Sequence, residues 1–176
     1  QRILEFGSMV LIDEKGENWG SHRNGILSTR SIDNLHVTYY LQSNYFRTPE
    51  SLTLHIREVT ALPKGQDYVE VDFEKGEVLF APTLPNLVGI ELLADGVIGK
   101  YKPIDYFNTH IILFGQAVDA NGNEVKIREI RNSGDLDVSE SKVHFELAGH
   151  QNPIKIYFNH FPSQLEGAVE VEVPLK

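Results

Sequence analysis

Apolar and polar residues alternate along most of this chain. Leu35, Val37, Tyr39 and Leu41 interleave with His36, Thr38, Tyr40 and Gln42, and Leu52, Leu54 and Ile56 interleave with Thr53, His55 and Arg57. A period of two places successive side chains on opposite faces, which is the pattern of a half-buried strand. On that reading strands are expected at Arg2–Phe6 and Met9–Ile12, with a break at Gly7-Ser8, and at 35–42, 52–59, 68–73, 87–93, 109–118, 124–130, 142–148, 153–160 and 168–175. A short strand around Ile26-Leu27 is expected inside the polar run 20–34, and Val78-Leu79-Phe80 either starts a short strand or leads into the linker. Loops are expected at 94–107 and 131–141. Leu87–Leu93 is the one weak helical candidate, and its β-branched residues favour strand.

The pattern occurs twice. Leu52, Leu54, Ile56 and Val59 align with Ile154, Ile156, Phe158 and Phe161, and VEVDF at 69–73 aligns with VEVEV at 169–173. Upstream, Asp13 and Gly16 align with Asp119 and Gly122, and Val37, Tyr39 and Leu41 with Val143, Phe145 and Leu147. The four blocks keep one order, and their spacing changes only in Gly/Pro/Asn-rich breaks, where loops tolerate insertions. The expectation is an all-β protein of two tandem β-sandwich domains related by internal duplication. Domain one would span 1–80, a proline-stiffened linker 81–86 (APTLPN) would follow, and domain two would span 87–176. The second copy has an additional segment, 87–105, before its Asp-x-x-Gly block, so domain one is expected to be truncated at its N-terminus.

Composition narrows the partners. The net charge is −9, shared evenly between the halves, and 41% of residues are hydrophobic. Such a chain can bury a core, but it lacks the basic footprint that phosphate backbones select. Nucleic acid and anionic membrane surfaces are therefore not expected as partners. Without cysteine there is no disulfide framework, thiolate metal site or cysteine nucleophile. No apolar run has the length of a transmembrane helix.

Candidate chemistry is sparse. Asp13-x-x-Gly16 and Asp119-x-Asn121-Gly122 read as hairpin turns, with glycine at the positive-φ position. The alternative for the second is a calcium loop of Asp119, Asn121, Asn123 and Glu124, since hard cations take such oxygens. The EF-hand spacing is not met. Seven histidines show no zinc-type spacing, and His36, His55 and His144 fall on outward strand positions. No Gly-x-Ser-x-Gly, Ser-x-x-Lys, P-loop or dinucleotide fingerprint is present. Glu70, Asp72, Glu170 and Glu172 fit outward strand positions and edge protection. No enzyme activity, cofactor or metal is expected.

The aromatic residues give the candidate binding surface: Trp19, Tyr40, Tyr45, Phe46, Tyr101, Tyr106 and Phe107, outward or in loops. Such rings either stack a sugar or anchor a protein, or else cap the cores.

The runs SLTLHIREVTALPKGQDYVEVDFEKG (51–76) and YFNTHIILFGQAVDANGNEV (106–125), with the closing IKIYF and VEVEVPL, carry a resemblance spanning nearly the whole chain. They resemble the immunoglobulin-like extracytoplasmic part of single-pass membrane proteins of Gram-positive, spore-forming bacteria. These are described as anti-sigma-factor-like, or as negative effectors of extracytoplasmic-function sigma factors. The resemblance implies an ectodomain at the extracellular face of the membrane, with one transmembrane helix upstream in the parent chain and no direct membrane contact by this part. It implies a non-enzymatic role in sensing or protein interaction, with an unknown protein partner or envelope ligand. The alternative is a carbohydrate- or cell-wall-binding module.

Overall fold

The structure is a computed structural model that describes residues 2–21, 26–30, 37–41, 48–104, 109–163 and 165–175. The described residues form strands and turns with no helix. In order these are β1 (Arg2–Asp13), β2 (Asn18–Ser21), β3 (Ile26–Arg30), β4 (Val37–Leu41), β5 (Leu52–Leu62), β6 (Tyr68–Asp72) and β7 (Glu77–Phe80). There follow β8 (Leu87–Leu92), β9 (Gly96–Tyr101), β10 (Phe114–Val118), β11 (Ile127–Gly134), β12 (Ser139–Phe145), β13 (Ile154–Phe158) and β14 (Leu165–Val173). Every pairing with a defined register is antiparallel. The all-β expectation therefore holds.

The chain divides into two compact units, one of Gln1–Glu5 with Thr60–Ser163 and one of Phe6–Val59 with Gln164–Lys176. The first, unit 1, contains two four-stranded sheets, β10-β13-β6-β7 and β11-β12-β9-β8. One core is drawn from both: Val69, Val71, Phe114, Ala117, Ile154, Ile156 and Phe158 from the first, Val97, Tyr101, Val143 and Phe145 from the second. That shared interior makes unit 1 sandwich-like. Strict alternation is visible in β12 and β13, where every second residue is buried. The Phe114 and Phe158 rings stack at 5.3 Å, and Phe161 meets Phe158 edge-on at 5.5 Å.

Unit 2 holds the sheet β14-β5-β1-β2 and the two-stranded β3-β4. Among the described residues its core contains Met9, Leu11, Trp19, Ile26, Leu52, Leu54 and Ile56, with Phe6, Tyr39, Leu41 and Val173 packed against it. The break expected at Gly7-Ser8 appears as a positive φ of 45° at Ser8 within an otherwise continuous β1.

The division falls elsewhere than at 81–86. That segment lies inside unit 1 and is not a free linker: Leu84 is buried in the core, Thr83 N donates to Gln66 Oε1 at 3.1 Å, and the Asn86 amide donates to the Pro162 carbonyl. The cause is strand pairing. β6 lies beside β13, with Ile154 opposite Val71 and Ile156 opposite Val69. β14 lies beside β5, with Val173, Val171 and Val169 opposite Leu52, Leu54 and Ile56. The VEV strand that follows each long alternating strand thus pairs with the other one. Alternation specifies which face of a strand is buried but does not specify its neighbour.

Other boundaries move as well. β9 occupies part of the expected loop 94–107, and its Gly96 and Gly99 serve close packing. A Cβ on Gly96 would lie 2.1 Å from the Val143 carbonyl oxygen, and one on Gly99 would lie 2.3 Å from Leu113 Cδ2. β10 begins only at Phe114, and β11 and β12 extend into the expected loop 131–141.

Candidate functional site

The two Asp-x-x-Gly blocks fold into matching turns. Asp13 Oδ1 accepts from the backbone N–H groups of Lys15 at 2.9 Å and Glu17 at 2.8 Å, and Gly16 N donates to the Asp13 carbonyl at 3.0 Å. Asp119 Oδ1 accepts from Asn121 and Asn123, both at 2.9 Å, and Gly122 N donates to the Asp119 carbonyl at 2.9 Å. Gly16 and Gly122 have φ of 77° and 83°, the left-handed region where a Cβ is strained. Pairing matches too: Ile12 faces Asn18 in one turn and Val118 faces Glu124 in the other.

The second carboxylate oxygens differ in partner. Asp13 Oδ2 accepts from Trp19 Nε1 at 3.0 Å. Asp119 Oδ2 accepts from Asn123 Nδ2 at 3.2 Å and lies 3.2 Å from His150 Nδ1. Burial of Asp119 would raise its pKa, but the bonds from Asn123, His150 and Asn121 outweigh it and hold the carboxyl well below the usual carboxylate range. At Asp13 the Trp19 bond is the largest influence, and the pKa is again lowered. Both oxygens of Asp119 are engaged in tying the turn and holding His150. Among the described residues no group of three or more His, Asp or Glu could hold a metal ion.

The histidines that the sequence places outward take carboxylate neighbours. His144 Nδ1 lies 2.7 Å from Asp95 Oδ1, and Arg128 pairs with the other oxygen. The His144 bond is the chief cause of a lowered Asp95 pKa. His55 Nδ1 lies 3.2 Å from Glu170 Oε1, across the β5–β14 pairing. His22 and His36 lie outside the described residues. A depression in unit 1 lined by Gly115, Gln116, Glu124, Val125, Lys126 and Ile127 contains neither a hydroxyl nucleophile nor a histidine.

The seven aromatic candidates do not form one surface. Trp19 is 8% exposed and packs in the unit 2 core, its indole nitrogen committed to Asp13. Tyr101 is fully buried in β9, where its hydroxyl donates to the Thr109 carbonyl at 3.3 Å and accepts from Ile111 N at 3.2 Å. These two cap and fill cores instead of binding partners. Tyr45, Phe46, Tyr106 and Phe107 lie outside the described residues. Tyr40 remains, 55% exposed on the outer face of β4.

Tyr40 has a companion absent from the sequence-derived set. Leu27 of β3 stands directly opposite it and is 73% exposed, while the next pair, Ile26 and Leu41, turns inward. Alternation held the signal, since Ile26 and Leu27 cannot both face the core. A second set of exposed apolar side chains, Leu165, Val169 and Val171, lies on β14 at the sheet edge. No protein-family model, curated protein or solved structure matches this chain.

Proposed function

We propose that this chain is a non-enzymatic binding ectodomain, built from two copies of one immunoglobulin-like sandwich unit, that engages a protein partner in envelope signalling. The carrying observation is the cross-strand pair Leu27 and Tyr40, exposed side by side on β3-β4. Tyrosine is among the side chains enriched at interface hot spots, and the exposed Leu27 beside it adds apolar surface that a partner would bury. Support for the duplication comes from the matching turns at Asp13 and Asp119 and from pairings that recur in order: β1 beside β5 and β10 beside β13, β3 beside β4 and β11 beside β12. The extracellular setting and the link to sigma-factor regulation rest on the resemblance of the 51–76 and 106–125 runs.

The test is a photo-crosslinking residue at position 40 of the membrane-anchored parent, with position 79 in unit 1 as an exposed comparison. A discrete protein adduct at 40 and none at 79 supports the reading, and identical labelling at both positions defeats it. Tyr40 also favours the second reading, a carbohydrate-binding module, since one exposed ring can stack on a sugar. Co-sedimentation with purified peptidoglycan that Tyr40→Ala abolishes would select that reading.

A further inference from the structure

We propose that β14 is an exchangeable strand, and that this chain associates with a second copy of itself by placing β14 of one molecule on β5 of the other. Within one chain the arrangement is already an exchange. β6 and β14 carry the same Val-Glu-Val core, and each pairs with the long strand that precedes the other in the repeat. Connections of a few residues, 63–67 and 159–164, leave β5 and β13. Loops of that length also close direct hairpins. Connectivity therefore does not dictate which acceptor strand a VEV strand joins, and an acceptor in another molecule presents the same register and side chains.

The two VEV strands differ in how firmly they are held. Val69 and Val71 of β6 are fully buried between neighbours on both sides. β14 is the terminal strand of its sheet, and each residue from Leu165 to Glu172 is exposed, with Val169 and Val171 at 49% and 46%. Its grip is weakest toward its start, where Glu166 stands opposite Glu58 and the register slips between Glu166 and Val169. Like charges directly opposite destabilise a pair. The chain just before is fixed in unit 1, where Phe161 and Pro162 are buried and Ser163 Oγ reaches the Ala61 carbonyl at 3.5 Å.

One complementary pair joins β14 to β5. β14 carries Glu166, Glu170 and Glu172 and no basic residue, and β5 carries His55 and Arg57 beside Glu58. The 3.2 Å approach of Glu170 to His55 would re-form in trans without alteration. Exchange of an identical element is a low-cost route to a dimer, because the pairing that one molecule gives up is restored by the other.

The chain has no cysteine, so introduced thiols report cleanly. Thr53 and Glu172 face each other across β5 and β14. Two single variants, Thr53→Cys and Glu172→Cys, are mixed at high concentration and oxidised. A disulfide-linked heterodimer, in severalfold excess over the mismatched mixture of Thr53→Cys with Glu166→Cys, is expected. Yields no higher than that mixture overturn the proposal. The double variant Thr53→Cys/Glu172→Cys, oxidised at low concentration, ties β14 to its own β5 and confirms a folded register. Light scattering should then find it monomeric at concentrations where its reduced form dimerises. Equal dimerisation of the locked and reduced forms would place the association elsewhere and overturn the proposal too.

Discussion

Trp19 donates its indole N–H to Asp13 Oδ2 at 3.0 Å, and this bond turns the single tryptophan of the chain inward. The same carboxylate ties the turn through its other oxygen, so one aspartate fixes both a backbone reversal and a core side chain. Because Trp19 belongs to unit 2, its emission reports on that unit alone, and two units with separate cores need not unfold in one transition.

The Asp13 pKa is lowered in the folded state from its ordinary 3.8, so the unfolded chain binds the proton more readily. The resulting stabilisation is fully present above the ordinary value and is lost as pH falls through the lower folded value. An acid titration followed by Trp19 emission should show the red shift of exposure below pH 3.8 in the native protein. Asp13→Ala should move that midpoint upward. An unchanged midpoint would mean the bond carries no stability.

Asp119 has the same sign of linkage in unit 1, with a pKa held further down. Asp119→Ala should destabilise unit 1 at neutral pH and remove part of its loss of stability in acid, while Asp119→Asn, which keeps an acceptor oxygen, should fall between. Near-ultraviolet circular dichroism of the unit 1 tyrosines against pH checks this. The idea fails if both variants match the native protein throughout.

Val69 and Val169 align in the matched blocks VEVDF and VEVEV but occupy unequal places in the fold, 0% and 49% exposed. Val69→Ala should cost about 2 kcal/mol, and Val169→Ala under about 1 kcal/mol, because truncation is costly in proportion to the apolar surface removed from water. Denaturant melts of the two variants give the comparison. Equal costs would contradict the assignment of β6 to a buried position and of β14 to an exposed edge.

Tyr101→Phe removes the hydroxyl that accepts from Ile111 N and donates to Thr109, leaving two backbone groups without that partner. A loss of about 1–3 kcal/mol in unit 1 stability is expected, the cost of unsatisfied buried polar groups. Unchanged stability would show the bond to be dispensable.

Gly96→Ala should destabilise by about 1–3 kcal/mol, since the obstructing atom is a backbone carbonyl oxygen that cannot swing aside. Gly89→Ala, whose Cβ meets nothing within 4 Å, should stay within about 1 kcal/mol of the native protein. Thermal melts that fail to separate the two would refute the close approach of β9 and β12.

Much of this protein was legible in its sequence because a period of two is local. Alternation gave β4, β5, β6, β13 and β14 and the inward faces of Leu54, Val69 and Ile156, while Asp-x-x-Gly gave both turns, since an aspartate acceptor and a left-handed glycine need only neighbouring residues. The repeat was visible for the same reason. Partner choice was not legible: VEVDF and VEVEV present the same face to either acceptor, and only the tertiary structure set β6 on β13 and β14 on β5. With that choice the unit boundaries fall at 5/6, 59/60 and 163/164, Leu84 lies in a core and Val169 is half exposed. Two of the aromatic candidates, Trp19 and Tyr101, fill cores for a related reason. Whether Trp19 or Tyr101 faces water depends on a carboxylate or a carbonyl arriving to satisfy its polar tip, and Tyr40 stays outside because its face of the hairpin carries Leu27 rather than a covering sheet.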